Sequence, residues 1–589
     1  MLQETGALRR LEDRWSVRGD LTEASVPATI QALLAARLDR LAPEEKTVLS
    51  SASVVGKAFW WGAVSELVPE FLRPRVGSHL QTLVRKELIR PERSTLAGED
   101  AFRFHHILIQ EAAYRSLPKE RRAELHQRFA SWIERNTGER ITEYEEVVGY
   151  HLEQAHRYRT ELGPIDDAGR AVAVRGAERL AAAGRRAMGR GDMIAAANLL
   201  ERASVLYPED HRGRLEILPD LAEAHMEAGD LALAEEVLAE AVRRARIAGD
   251  RRLEAHAIVF QLLLLESTDP KGLSEVASRE VERVIPVFEA LGDELGLARA
   301  WRLIGDVHWT QARYASADEA LERAIEHARR AGSRWEEAEN LGPYTGAGLY
   351  GTVPVPDVVS RCEEILDAAK GNRVVEAQVL RTFAALRAME GRFDEARSLG
   401  RRAREILEDL GLLLRAAYVS EAMGFVERLA GDPAAAEREL RSGFDLVEKL
   451  GEQGYLATAA ALLAHVTADQ KRLDDAERFI AVSEGAVAED DLATQVLLYS
   501  ARGRLRAVRG APEEGVRLCR EAVALAGQTD DVNMRADVLV DLAEVVGVED
   551  RADEAIELLE QARSLYRNKG NRVSAELVEG RQRALRTSG

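Results

Sequence analysis

The sequence GRFDEARSLGRRA, which runs from Gly391 to Ala403, contains the pattern from which most of the chain is built. Ala396 lies five positions after Gly391, and Ala403 lies seven positions after that, so both alanines fall on one face of a helix. Ala384, seven positions before Gly391, is placed to face that helix from an earlier one. Large side chains at these positions would push the helix axes apart. The stretch therefore predicts a pair of closely packed helices.

The same order of small residues, separated by seven, five and seven positions, recurs along the chain. It is found at Gly184, Gly191, Ala196 and Ala203, at Ala222, Gly229, Ala234 and Ala241, and at Gly424, Gly431, Ala436 and Gly443. Positions equivalent to Gly391, here called anchors, follow at steps of 38 to 43 residues: Gly191, Gly229, Gly272, Ala312, Val353, Gly391, Gly431, Lys471, Gly510 and Asp550. About ten helix pairs of about 40 residues each fit this series. The predicted class is an all-α solenoid that resembles tetratricopeptide repeats.

The position nine residues after the anchor is apolar in most units. Its occupants are Leu200, Leu238, Val281, Leu321, Cys362, Leu440, Ile480, Cys519 and Leu559. Both cysteines of the chain are in this set, so we expect them to pack in the core rather than to carry redox chemistry. Two cysteines cannot form a disulfide framework, and the start of the chain has no apolar core typical of a signal peptide. We expect a cytoplasmic protein.

The formal net charge of −19 belongs to the repeat region. Residues 1–150 contain 22 basic and 22 acidic residues, which leaves 81 − 22 = 59 basic against 100 − 22 = 78 acidic residues in the remainder. A long acidic surface argues against general nucleic-acid binding by the repeats, because phosphates require a basic footprint. We expect no membrane association either, since no apolar run approaches the length of a membrane span.

The first 118 residues follow a different pattern. Residues 5–17 alternate around a polar turn and predict a small β-hairpin. Apolar periodicity then predicts helices at 27–41, 43–56, 60–67 and 76–86, followed by strands at 88–90 and 102–104. Three helices and a two-stranded wing predict a winged-helix domain. The basic residues near its third helix are Arg73, Arg75, Arg85, Lys86, Arg90 and Arg93, and the alternatives for them are DNA binding or an ordinary solvated face.

Two blocks carry a more specific resemblance. VPATIQALLAARLDRLAPEEKTVLSSASVVGKAFWW begins at Val26, and FRFHHILIQEAAYRSLPKERRAELHQRFASWIE begins at Phe102. They resemble the region after the nucleotide-binding core of bacterial STAND-class signal-transduction ATPases. The resemblance is greatest to proteins in which a class III adenylate/guanylate cyclase domain precedes an AAA-like ATPase, a winged helix and a tetratricopeptide arm. Large LuxR-type transcriptional regulators have a related layout.

The resemblance implies ATP and magnesium only for a core that we do not find in this sequence. A phosphate-binding loop would read G-x-x-x-x-G-K-[ST], whereas VVGKAF has Ser51 in place of the first glycine and Ala58 in place of the hydroxyl residue. The cyclase's metal-binding aspartates also have no counterpart, and His105 and His106 lack the order of a zinc site. We therefore expect no enzyme, cofactor or metal site in this chain.

The resemblance also sets the expected domain boundaries. They are 1–24, the remnant of an ATPase module with the hairpin; 25–118, the winged helix; 119–175, a helical bridge; 176–570, the repeat array; and 571–589, a capping helix and tail. The chain is expected to start just after an ATPase core.

One repeat departs from the pattern. LGPYTGAGLYGTVPVPD, which starts at Leu341, places four glycines and three prolines where a first helix is expected, and it predicts a short, kinked or broken helix. Aromatic residues cluster around it. The candidate contacts for a partner or effector are Trp301, Trp309, Tyr314, Tyr344 and Tyr350. The alternatives are an irregular repeat and ordinary packing between repeats.

The leading hypothesis is a non-catalytic regulatory module whose repeat arm binds a protein or peptide partner, or a small effector, as the sensor of a signal-transduction ATPase. One alternative is a functional part of an ATP-dependent nucleotide cyclase or ATPase whose core is missing from this chain. Another is a transcriptional regulator that binds DNA through the winged helix.

Overall fold

The computed structural model describes residues 8–11, 14–17, 37–547 and 551–588. The helix predicted at 27–41 lies mostly outside the described residues, and so does the last anchor, Asp550. The described residues form two compact units. The N-terminal unit holds those up to Leu180 together with Val205–Pro208, and the repeat unit holds Ala181–Ser204 and those from Glu209 onwards.

The N-terminal unit combines short strands with helices. The hairpin strands β1 and β2 pair antiparallel, with Leu8 opposite Val17. In chain order the elements are β1 Leu8–Leu11, β2 Arg14–Val17, α1 Pro43–Val55, β3 Ala58–Trp60, α2 Trp61–Leu67, α3 Val76–Arg85, β4 Ile89–Glu92, β5 Ala101–Phe104, α4 Ile107–Arg115, α5 Lys119–Thr137 and α6 Glu145–Leu162. Two 3-10 segments, Glu70–Arg75 and Gly138–Glu143, lie between them.

A three-stranded antiparallel sheet, in the order β3-β5-β4, packs with the helices α1, α2 and α3. The third strand, β3, was not predicted, because it has only three residues and follows a helix end directly. Phe59 of this strand stands opposite Phe102 and is buried. Trp60 stacks on Phe129 and Trp132 of α5, so the sheet and α5 share one apolar core.

The repeat unit is built of antiparallel helix pairs, which confirms the all-α solenoid. Its helices are α7 Asp167–Met188, which begins in the N-terminal unit, α8 Met193–Leu206, α9 Arg212–Ala228, α10 Leu231–Ala248, α11 Arg251–Thr268, α12 Leu273–Leu291, α13 Glu294–Thr310, α14 Tyr314–Ala331, α15 Arg334–Tyr350, α16 Val355–Ala368, α17 Arg373–Met389, α18 Phe393–Asp409, α19 Leu413–Leu429, α20 Pro433–Leu450, α21 Gly454–Asp469, α22 Leu473–Ala486, α23 Leu492–Val508, α24 Pro512–Ala526, α25 Val532–Gly547, α26 Ala552–Lys569 and α27 Arg572–Ser588.

The anchors within the described residues lie in the turns that join the two helices of a pair. Gly391 has φ 84° and its N–H donates to the carbonyl oxygen of Ala388, while Arg392 N–H donates to that of Arg387. This left-handed turn satisfies the last carbonyl groups of the first helix, and glycine adopts it without the steric cost of a Cβ atom. Two anchors, Ala312 at φ 49° and Lys471 at φ 60°, adopt it as non-glycine residues.

The small residues of the repeat permit close helix contact, as predicted. Ala384 and Ala396 belong to one buried cluster, and Ala403 is fully buried. Elsewhere a Cβ atom added to Gly424 would lie 2.6 Å from Leu440, and one added to Gly503 would lie 2.4 Å from the sulfur of Cys519. The glycine seven positions before an anchor therefore contacts the apolar side chain nine positions after the same anchor. The sequence contained both positions without showing that they touch.

The helix predicted to be short, kinked or broken at Leu341 is neither short nor broken, because α15 continues over 17 residues with Pro343 inside it. Its glycines serve packing: a Cβ atom on Gly346 would lie 2.7 Å from Trp309, and one on Gly348 would lie 3.2 Å from Val358. Neighbouring helices hold the segment helical against its weak intrinsic propensity.

No helix in the described ranges combines the length and the apolar character that crossing a membrane requires.

Both thiols, Cys362 and Cys519, are fully buried, and burial raises the pKa of each to about 12. They therefore stay protonated near neutral pH and pack as small apolar groups.

A glycine-to-alanine change should act with opposite sign at an anchor and inside a helix. Gly431 has φ 78° with nothing within 4 Å of an added Cβ atom, so Gly431→Ala should destabilise by about 1 kcal/mol through backbone strain alone. Gly580 lies exposed within α27, where Gly580→Ala should stabilise by a similar amount. Urea unfolding of both variants measures the difference, and equal signs would contradict this account of the anchors.

Candidate functional site

The superhelix of the repeat unit completes one turn in about five helix pairs, and consecutive turns are in contact. We call this arrangement closed. Residues as far apart as 188 and 221 positions are in contact, which corresponds to about five units of the repeat. In these contacts, the end of a first helix in one superhelical turn meets the beginning of a first helix in the next turn. For example, the carbonyl oxygen of Ser267, at the end of α11, accepts a 2.6 Å hydrogen bond from the N–H of Gln453, just before α21. Arg415, near the start of α19, pairs with Glu227 of α9 at 2.6 Å.

Two further contacts between the turns use charged side chains at helix ends. The Asp530 carboxylate accepts hydrogen bonds from the N–H groups of Tyr314 and Ala315, at 2.7 and 2.8 Å, and so caps the start of α14. At the opposite kind of end, the Lys569 ammonium donates to the carbonyl oxygens of Gly348 and Gly351, at 2.7 and 2.6 Å, where α15 ends. Both side chains complement the helix dipole that they meet.

A cavity of about 410 Å³ lies within this closed part of the repeat unit. Most of its lining comes from first helices of the pairs. The aromatic lining residues are Phe260, Trp309, Tyr314, Tyr350, Tyr418 and Tyr455; the charged ones are Glu223, Glu227, Glu266, Arg302, Asp306, Glu339, Arg381, Arg415, Glu421, Glu452, Asp491 and Asp531. Its volume is within the range of small-molecule sites.

The lining residues occupy a different position along the first helix in each successive unit. In α9 they are Glu223, Met226 and Glu227, close to the C-terminal end, whereas in α25 they include Met534, close to the N-terminal end. Each residue advances a helix by about 1.5 Å. The shift in position therefore follows from the rise of the superhelix, because the cavity lies at one height along the superhelix axis.

Part of the charge in the cavity is compensated by buried ion pairs. Arg302 contacts Glu223 at 3.4 Å and Glu339 at 3.5 Å, and Arg415 contacts both Glu227 and Glu339. These guanidinium groups keep three of the nine lining carboxylates in direct pairs. Burying such groups is costly, and mutual pairing offsets much of the cost.

The other six carboxylates have no cationic partner within 4.0 Å among the described residues: Glu266, Asp306, Glu421, Glu452, Asp491 and Asp531. Burial raises the pKa of Glu452 and of Asp531 to about 7 each, and that of Asp306 to about 6. For Glu266, burial together with the nearby Asp306 and Glu452 raises the pKa well above its ordinary value. The cavity is thus an acidic site whose protonation changes near neutral pH.

Three of the predicted contact residues meet at this cavity. Trp309 contacts Tyr314 and Tyr350 edge to face, with ring centroids 5.1 and 5.6 Å apart, and the two tyrosine rings stack at 5.3 Å. The hydroxyl of Tyr350 donates to Glu421 at 2.9 Å. These rings are both packing between repeats and part of the cavity wall.

The other two predicted residues are placed differently. Tyr344 packs beside this aromatic cluster, and the guanidinium of Arg361 covers its ring at 4.1 Å. Trp301 lies under the guanidinium of Arg323 at 4.5 Å. Neither residue is part of the cavity lining.

The sequence did not single out the acidic residues of the cavity. Asp306 and Trp309 are three positions apart and so share one helix face, as do Tyr418 and Glu421. An aromatic residue paired with an acid on the first helix was the available signal. It was hidden among many solvated acids, because which face points inward depends on the closure of the superhelix.

Outside the cavity, no group of three or more metal-binding side chains in the described ranges is arranged to hold a metal ion. In the N-terminal unit, His106 Nδ1 accepts a hydrogen bond from Leu108 N–H and caps α4. This hydrogen bond stabilises the start of α4.

The repeat unit should lose stability as pH rises through the range set by Asp531. Its carboxyl has a pKa of 3.8 when unfolded and about 7 when folded, because burial and the nearby Asp530 and Asp537 outweigh Lys569 and the N–H of Met534. The folded state therefore binds more protons between about pH 4 and 7, and stability falls with rising pH across that window. Asp531→Asn keeps a good N-cap and removes this fall, which is roughly 2–4 kcal/mol.

The measurement is the free energy of urea unfolding at pH 4.5, 6 and 8. The difference between Asp531→Asn and the unchanged chain should grow in favour of the variant as pH rises. Asp394→Asn, at a fully exposed carboxylate, is the matched control and should show no such trend. A constant difference for Asp531→Asn would contradict the assignment.

No protein-family model matches the chain, and no match was found among curated proteins. Among solved structures, it is similar to a Rap protein complexed with competence and sporulation factor, at 14% identity over 64% of this chain and 98% of that chain, with a TM-score of 0.38. It is also similar to a STAND protein with a tetratricopeptide repeat sensor from Pyrococcus horikoshii, at 12% identity over 96% and 69%, with a TM-score of 0.26. A third similar structure is the human IFIT1 dimer with m7Gppp-AAAA, at 16% identity over 75% and 94%, with a TM-score of 0.38.

Proposed function

We propose that this chain is a non-catalytic regulatory module whose repeat unit binds a small effector or a short peptide at the cavity inside its closed superhelix. The observation that carries the proposal is the cavity of about 410 Å³, whose wall is assembled from side chains of successive first helices. Such a site responds to the curvature of the whole array, because each repeat contacts its neighbours and small changes accumulate.

The contacts between the turns make this site suitable for sensing. Tyr314 lines the cavity, and its N–H is held by Asp530 of the next turn. Arg415 lines the cavity and forms the ion pair with Glu227 that joins the two turns. An occupant that touches these side chains has differential affinity for the closed arrangement, which is the requirement for a ligand-dependent shift.

The resemblance to STAND-class ATPases supports a finer version of this proposal. In it the repeat unit is a tetratricopeptide-like sensor of about ten helix pairs, and the N-terminal unit is a winged helix that couples the sensor to a nucleotide-binding core. The element order α1-β3-α2-α3-β4-β5, with the sheet order β3-β5-β4, supports the winged helix. ATP and magnesium belong to that core, and the alternative of an ATP-dependent enzyme depends on its presence.

Filling the cavity should abolish retention of a small molecule. Ala493 lines the cavity and packs beside its aromatic cluster, so Ala493→Phe should occupy its volume. Ala434 is exposed on α20, and Ala434→Phe is the matched control. The full chain is incubated with the low-molecular-weight fraction of its native cells, desalted and examined by native mass spectrometry. We expect an adduct with the unchanged chain and with Ala434→Phe only; equal retention by Ala493→Phe, or no adduct at all, would refute the proposal.

A DNA-binding role is the second candidate, because Arg75, Arg85 and Arg90 are exposed near α3. Two of the other basic residues there are neutralised, Arg73 by Glu66 and Lys86 by Glu45. With a net charge of −19, the full chain should show no salt-sensitive binding to a labelled DNA duplex in fluorescence anisotropy. Binding that weakens steeply with salt, and that Arg85→Ala reduces, would instead establish this second function.

A further inference from the structure

We propose that the occupant of the cavity is a small organic cation, an ammonium or guanidinium compound with an apolar body, whose charge lies at Glu266, Asp306 and Glu452. This inference deepens the proposed function and rests on it. It rests on three independent features: lining carboxyl groups that form no ion pair with described residues, an unpartnered buried carboxylate oxygen in the wall, and the aromatic surface beside the acids.

Two of the three carboxylates lie on first helices of adjacent repeats, and closure of the superhelix brings the third beside them. Glu266 lies near the end of α11, Asp306 near the end of α13, and Glu452 just before α21, in the next turn. Asp306 and Glu452 are both close enough to Glu266 to raise its pKa. None of the three has an ion pair with a described residue, although Arg302 lies near Asp306 and Glu266 and favours their ionised forms. Glu452 also accepts a hydrogen bond from the N–H of Tyr455 at 2.9 Å, at the start of α21. A cation placed among the three acids would supply the ion pair that each of them lacks within the described residues.

A second observation in the wall points the same way. Glu339 lines the cavity, is only 6% exposed, and holds Arg302 and Arg415 through one carboxylate oxygen, Oε2. Its other oxygen, Oε1, is buried with no hydrogen-bond partner among the described residues. The buried hydroxyl of Tyr455, also in the lining, likewise has no partner there. Buried polar atoms are rarely left without a partner, and both atoms can accept a hydrogen bond from an N–H donor.

The aromatic lining favours an organic cation over a metal ion. Trp309 lies one helical turn from Asp306, and Tyr455 lies three residues from Glu452 and contacts Tyr418 edge to face at 4.9 Å. Aromatic faces attract ammonium and guanidinium groups and bury apolar bodies. The acids of the cavity are not arranged as a metal-binding group within the described part of the chain.

The test uses the full chain, three probes that share an indole body, and a fourth probe with an aliphatic body. Tryptamine carries an ammonium group, tryptophol is its neutral counterpart and indole-3-acetate its anionic counterpart. Agmatine, a dication, carries a guanidinium and an ammonium group on an aliphatic body. Binding is measured by isothermal titration at pH 7.5. We expect tryptamine or agmatine to bind at least tenfold more tightly than tryptophol, and indole-3-acetate not to bind.

Variants show whether the probes bind in the cavity, and they distinguish failure of the cationic class from failure of the proposed function. Asp306→Asn removes a charge without breaking an ion pair and should weaken binding of the cation about tenfold. Glu275→Gln, at an exposed acid outside the cavity, should leave binding unchanged. Ala493→Phe should abolish binding, and circular dichroism verifies that each variant is folded. Equal or tighter binding of tryptophol or indole-3-acetate, lost in Ala493→Phe, would overturn the cationic class and leave the cavity's function standing. No binding by either cation, or binding indifferent to Asp306→Asn, would also overturn it.

Discussion

The hydrogen bonds of the buried Lys569 ammonium with backbone carbonyl oxygens at the end of α15 hold two turns of the superhelix together. Lys569 is only 1% exposed, and a third acceptor, Val353 O at 2.6 Å, completes its donor set. The carbonyl groups at a helix end have no partner within the helix, so the lysine satisfies acceptors that would otherwise be buried without a hydrogen bond. Together with Asp530 at the start of α14, it converts an open solenoid into one whose consecutive turns touch.

Closure creates an interior that an open array would not have. First helices that would line a solvated groove instead surround a cavity, and their polar side chains lose water. The arginines at 302 and 415 offset part of that cost through ion pairs, while carboxylates such as Asp306 respond by a raised pKa. The arrangement keeps unpaired buried acceptors and carboxyl groups with raised pKa values, and such groups cluster at functional sites.

Local pattern and tertiary context differ most clearly in α15. The glycines and prolines from Leu341 onwards predict a short, kinked or broken helix, yet α15 runs over 17 residues because contacts with its neighbours outweigh its weak propensity. Gly346 and Gly348 allow Trp309 and Val358 to approach closely, and the carbonyl groups at the end of the helix receive Lys569. Helices in proteins owe most of their stability to such packing. The same residues that weaken the segment in isolation make it the contact point between turns.

The sequence by itself determined the repeat. The spacing around Gly391 predicted the paired helices, the left-handed turns explain the glycine anchors, and the period placed Cys362 and Cys519 in the core, because all of these depend on contacts within one unit or between adjacent units. It also proposed Trp309, Tyr314 and Tyr350 as candidate contacts, which line the cavity, but it did not single out the acids beside them. Only the tertiary structure decided the closure and the cavity. These depend on contacts about five units apart, and the small rotation that each unit adds leaves no periodic signal in the sequence.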